Sequence, residues 1–233
     1  ARRKSIVDAR PEAALPFSRE EMSRFASTWN TASANDKARI SASMNDNLGS
    51  TLTSRVLGTL SKDGNVDRAS VYAAGVAPSN PALARDIYAG LEVLKKEKKA
   101  APAKEEDLQR TFNDYAGAAY KHSTEARDGA YEASRALMAK WAKDNGKLGE
   151  EITDTSQMKA IMKRVVGNTV RHNGSTLLPP RPDMTQRDFD AELARVKDQD
   201  APKLKAMDGS SVSITKALRS GSLESYGQGR YVI

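Results

Sequence analysis

The sequence contains no cysteine, and this absence removes disulfides, thiolate metal sites and cysteine nucleophiles together. Histidine is almost as scarce: His122 and His172 are the only two, and neither has a histidine or aspartate at the helical offsets that bring metal ligands together. Aromatic residues make up 6% of the chain, apolar residues 39%, and the mean hydropathy is −0.62. These values lie below the usual globular share of roughly 45–50% apolar residues, so a single core would be thin. No apolar run approaches the ~20 residues of a membrane span. The basic start Ala1-Arg2-Arg3-Lys4 is not followed by the apolar stretch of a signal peptide. The chain begins without Met and ends in mid-pattern at Tyr231-Val232-Ile233, which reads as part of something longer.

The 233 residues include 37 bases and 30 acids, for a formal charge of +7. That balance makes a mixed surface with a basic bias, suited first to solubility and second to neutralising phosphates. Helical punctuation dominates the chain. Ser18 with Glu21 forms a capping box, and Phe25 and Trp29 share a face in the helix that follows. Asn35-Asp36 opens a second helix carrying Ile40, Met44 and Leu48. Gly49 breaks it before Leu52, Val56, Leu57 and Leu60. Residues 66–76 are apolar without a clear period. Asn80-Pro81 is a cap followed by proline in the first helical position, where no N–H is missed. Leu83, Ile87, Leu91 and Leu94 then mark one face, and Ala84 and Gly90 keep the neighbouring ridge low enough for another helix to come close.

Residues 95–107 separate a lysine block from an acidic block around Pro102 and read as a charged linker. The expected organisation is thus a polar arm at 1–17, a helical region at 18–94, the linker at 95–107 and a second helical region at 108–233. The last region holds the strongest β signal. Asn173-Gly174, flanked by Thr169–His172 and Ser175–Leu178, fits the type I′ turn of a hairpin near 169–178. A strand-like tail follows after Gly209. The expected fold class is mainly α: an extended helical bundle or stacked helices with one or two small β-hairpins.

A search for chemistry yields no catalytic set and no cofactor. The G-x-S-x-G elbow and the phosphate loop are absent, and Gly227-Gln228-Gly229 precedes no helix. Glu20-Glu21, Glu105-Glu106 and Glu150-Glu151 sit at helix starts or in the charged linker, where they complement the dipole. If bases face DNA, the candidates are Lys95, Lys96, Lys98 and Lys99, then Lys163, Arg164 and Arg171, as an electrostatic lining without base readout. For the lysine run, a solvated connector is the competing reading.

Several segments together resemble a known family. Asn80-Pro81-Ala82-Leu83-Ala84 with Ile87, Gly90 and Leu91 looks like a segment of the ejection (internal virion) proteins of bacteriophages and prophages. The later order is similar too: an alanine- and aromatic-rich helix from Tyr115 to Trp141, then Met158 to Gly167. Val170 to Asn173-Gly174, a proline pair, and a helix opened by Asp183 to Phe189 complete it. The resemblance spans about Pro78 to Ile233. It implies a structural, homo-oligomeric virion protein that meets portal, core or tail components. Such a protein is packaged in the capsid, leaves ahead of the genome and helps form a DNA conduit in the host envelope. Some such proteins carry a lytic transglycosylase domain with a catalytic Glu-Ser. The only Glu-Ser here, Glu224-Ser225, lacks that domain's following Gly-Leu-Met-Gln-like context, so the activity is not carried over. The competing expectations are a basic helical nucleic-acid-binding domain and a non-catalytic segment of a peptidoglycan-degrading virion enzyme.

Overall fold

A computed structural model describes residues 15, 17–97, 103–200, 204–205, 211–225 and 231–232. It is mainly α, with small antiparallel strand pairs confined to the C-terminal part. Helix α1 (Arg19–Thr31) starts at the predicted capping box, where Ser18 Oγ accepts from Glu21 N at 3.2 Å and the Glu21 carboxylate accepts from Ser18 N. Helix α2 (Ala34–Lys62) starts at Ser33, whose hydroxyl accepts from Asp36 N, and it is kinked at Gly49. Residues 66–76 resolve into α3 (Arg68–Val76), and α4 (Pro81–Lys96) opens on the Asn80 cap. Helices α5 (Glu105–Ala116), α6 (Thr124–Asp144) and α7 (Thr155–Val166) complete a bundle, and a 3-10 turn at Gly117–Tyr120 joins α5 to α6.

One apolar cluster runs through all seven helices, from Met22 and Trp29 through Leu57, Ile87 and Phe112 to Leu137 and Met162. Apolar residues before residue 95 and after residue 107 belong to this one cluster. The acids Glu105, Glu106 and Asp107 form the first turn of α5, where the helix dipole favours them. Residues 98–102 lie outside the described residues. Helices α4 and α6 meet most closely: a Cβ added at Gly90 would fall 1.9 Å from the Ala136 carbonyl oxygen, so only glycine allows this approach. Around that contact the core is built from small residues. Fourteen of the forty buried apolar side chains among the described residues are alanines. Rings close the gaps, with Trp29 edge-on to Tyr88 at 5.6 Å and Phe112 edge-on to Tyr131 at 5.5 Å.

Beyond α7 the chain forms a smaller module. Strands β1 (Val170–His172) and β2 (Ser175–Leu177) pair in antiparallel register, Val170 opposite Leu177. Asn173 and Gly174 hold φ of 46° and 84°, the pair of positive values that a type I′ turn demands. Helix α8 (Gln186–Arg195) starts at a second capping box, Thr185 with Asp188. The short pair β3 (Leu204–Lys205) and β4 (Ser211–Val212), helix α9 (Ile214–Ser220) and the pair β5 (Glu224–Ser225) and β6 (Tyr231–Val232) follow. Val170, Leu177, Met184, Phe189 and Leu223 make a second, separate core.

Candidate functional site

The five candidate bases among the described residues are dispersed, and three of them hold acids. At the end of α4, Lys95 Nζ lies 3.0 Å from Asp67 Oδ2, and Lys96 Nζ lies 4.0 Å from Glu92 Oε2. Glu92 also accepts from the backbone N–H of Ala34 at 2.6 Å, which satisfies an amide at the start of α2. Lys37 sits beneath this group, buried, between Lys95, Glu92 and Asp67. Burial first, and the Lys95 charge second, hold its ammonium below the usual lysine range, while Glu92 and Asp67 pull the other way. The result is a charge network that ties α2, α3 and α4 together.

Arg164, in the last turn of α7, donates to Asp86 Oδ2 of α4 at 3.0 Å, and Lys140 of α6 approaches the other oxygen at 3.8 Å. Asp86 and Lys95 stand nine residues apart on α4, about 14 Å along its axis, so these are two networks. Lys163 is exposed with no ion pair among the described residues. Arg171 is exposed on β1, and its backbone exchanges two hydrogen bonds with the Gln186 side chain at 2.7 and 2.9 Å. Lys98 and Lys99 lie outside the described residues.

Three groups outside the candidate bases carry more structure than they do. Lys37 is one, and its spacing of four from Ser41 places it on the buried face of α2. Glu132 of α6 is the second. It accepts from Ala69 N at 3.4 Å at the start of α3, and its pKa is raised, chiefly by burial. It shares a helix face with Gly129 and Ala136, which is the available signal for its burial. The third is Glu224 of β5. Lys121 Nζ, at 2.5 Å, and His122 Nε2 both contact its carboxylate and hold it below the ordinary glutamate range, Lys121 more strongly. This clasp joins the C-terminal module to the turn between α5 and α6. No signal short of the fold connects residues about a hundred positions apart.

Beside the clasp lies an open cavity of about 300 Å³ lined by Asn113, Tyr120, Lys121, Thr124 and Arg127, among others. Arg127 Nη2 donates to Asn113 Oδ1 at 2.8 Å, and Lys121 is engaged with Glu224. The His172 ring is half-buried, edge-on to Phe189, with Nε2 at 2.6 Å from the Leu218 carbonyl oxygen, so it is a packed residue of the module. Among the described residues, no group of three or more His, Asp or Glu side chains could hold a metal ion, and no helix is long and apolar enough to cross a membrane. The contacts described join helix to helix and module to bundle. No protein-family model matches the chain, and neither a curated protein nor a solved structure matches it.

Proposed function

We propose that this chain is a non-catalytic structural protein of a bacteriophage virion: an ejection or internal core protein that self-assembles. In this reading it first lies inside the capsid or at the portal and tail, against other virion proteins. It later helps form the genome's conduit through the host envelope. The single observation that carries the reading is the alanine-rich core. Burial stabilises in proportion to the apolar area removed from water, at roughly 25 cal/mol per Å², and an alanine contributes little of it. Such a bundle packs its helices closely while holding them with a modest energy per residue. That balance suits a chain that must open, pass a channel and repack against copies of itself. The Asn80 cap, the Gly90 contact and the Asn173-Gly174 hairpin, which carried the resemblance, support the same reading.

The test is assembly state. Mass photometry and negative-stain microscopy of the full chain across a concentration series are expected to show rings, tubes or discrete oligomers. A chain that stays monomeric throughout, including with its neighbouring virion proteins, would sink the proposal.

A second reading, non-specific DNA binding, is favoured by Lys163 and Arg171, which are exposed and have no ion pair among the described residues. It predicts retention of duplex DNA that weakens steeply with salt. No retention at low salt removes it.

A further inference from the structure

The longest helical stretch carries a break at its centre. Of the 29 residues of α2, Gly49 alone leaves helical geometry, with φ 77° and ψ 159°. That combination is essentially restricted to glycine. A Cβ added at Gly49 would meet nothing within 4 Å, so backbone conformation and not packing is what excludes a side chain there. Four residues to either side stand Asn45 Oδ1 and Thr53 Oγ1, the two side-chain oxygens that are buried without a hydrogen-bond partner among the described residues.

The kink has a local cost. A residue in a glycine-only conformation joins the two halves of the helix, and two polar side-chain oxygens lie buried without a partner among the described residues four positions to either side of it. A straight α2 would release the glycine-only conformation. The bent form therefore forgoes local stabilisation that the straight form would have.

What holds the bend is the docking of α1 and the first half of α2, residues 19–48, on the rest of the bundle. Trp29 sits edge-on to Tyr88, and the Ser41 and Tyr88 hydroxyls are 2.6 Å apart. Ala34 N donates to Glu92 at 2.6 Å, and Asn45 Nδ2 donates to the Ala74 carbonyl at 3.0 Å. Each of these contacts joins the arm to α3 or α4, and each can form equally well between two copies of the chain.

We infer that Gly49 is the hinge of an arm exchange. Residues 19–48 swing out as α2 straightens into one helix of about 44 Å, and the arm docks on Tyr88, Glu92 and Ala74 of a second copy. A reciprocal exchange closes a dimer, and a one-way exchange extends a chain of subunits. The inference rests on the self-assembly reading above and names its surface.

Because the chain has no cysteine, Asn35→Cys with Lys62→Cys, both exposed positions, accepts spin labels at those two sites alone. Labelled full-length chain diluted into unlabelled chain reports the distance within one copy by electron–electron resonance. The monomer is expected to give a distance shorter than the about 40 Å of a straight helix, and the oligomer to give that length. Gly49→Ala is expected to raise the association constant roughly tenfold or more, since alanine disfavours the bend and favours the helix. The wild-type distance measurement, which needs no change at Gly49, keeps the inference testable should Gly49→Ala fold poorly. Oligomers with the short monomer distance overturn the exchange while leaving self-assembly intact. A straightened Gly49→Ala dimer beside a wild-type chain that never associates supports the hinge and overturns the self-assembly reading. A Gly49→Ala monomer with the wild-type distance overturns the hinge itself.

Discussion

The helical bundle and the C-terminal module are held together by different means. In the bundle, one continuous apolar cluster links seven helices, and its polar contacts are mainly caps and charge networks at helix ends. In the module, the described core comprises Val170, Leu177, Met184, Phe189 and Leu223 with Leu193, Leu218 and Tyr231 packed against them, and hydrogen bonds between its segments do much of the fixing. Asn173 Nδ2 donates to the carbonyls of Arg219 and Gly221 at 2.9 and 2.8 Å. Ser225 Oγ accepts from Leu178 N at 2.9 Å, and Tyr231 OH donates to the Leu178 carbonyl at 2.6 Å. Among the described residues, the module's apolar core is thus separate from the bundle's and leans more on hydrogen bonds between its segments. That difference is open to test from both sides.

The largest effect is expected from alkali, which should strike the bundle. Burial raises the pKa of Tyr72, Tyr88 and Tyr120 above the ordinary phenol value. The Tyr72 hydroxyl donates to the Val165 carbonyl at 2.7 Å, a bond that ionisation abolishes. A pKa raised by folding contributes stability that is fully present below the unfolded value of about 10 and is lost as pH rises through the folded value. The described part of the module holds one such group, Tyr231, pushed up to about 12. Helical circular dichroism and phenolate absorbance, followed together above pH 10, should fall and rise in one step. Phenols that ionise near 10 with helicity intact would show that the bundle does not bury them as described.

Next in size is Phe189→Ala. Phe189 packs edge-on to Tyr231 at 6.0 Å and to His172 at 6.3 Å at the centre of the small core. Its loss should cost about 3–5 kcal/mol, enough to open the module. Amide exchange is expected to accelerate at Val170–Leu177 while the protection of α4 and α6 stays unchanged. Equal acceleration in both regions would make the two a single cooperative unit and dissolve the comparison.

The same division decides what could be read from the sequence. Short-range chemistry was legible: the Ser18–Glu21 capping box, the Asn80-Pro81 start, the low ridge at Gly90 and the Asn173-Gly174 turn need only neighbouring residues to specify them. Helix α3 was not, because Ala69, Ser70, Ala73 and Ala74 are all buried and small, so no polar face gives the segment a period. The ion partners of the candidate bases were equally hidden. Lys95 meets Asp67 and Arg164 meets Asp86 across 28 and 78 positions, and only the packed bundle sets those distances. The charged stretch before α5 looked like a boundary because its composition is that of a linker, although the core continues past it.

The smallest effect concerns the clasp between the two regions, and it should appear in acid. The Glu224 carboxyl is held low by hydrogen bonds from Lys121 and then His122. A lowered pKa contributes stability that is present above the ordinary carboxylate range and is lost as pH falls through the folded value. The clasp should therefore persist at neutral pH and release only in acid, below the ordinary glutamate range. Asp188 and Asp198 are also held low, by the Thr185 side chain and the Thr215 backbone N–H respectively, so acid loosens the caps of the module as well. Those groups face other segments, and a local probe distinguishes them: amide exchange at Leu223–Ser225. Glu224→Gln keeps the shape of the side chain and removes its charge. It is expected to speed exchange at these three amides at neutral pH and to abolish their further acceleration in acid, while α8 and α9 still respond through Asp188 and Asp198. An acid step that survives unchanged at Leu223–Ser225 in the variant would show that the clasp is not what acid releases there.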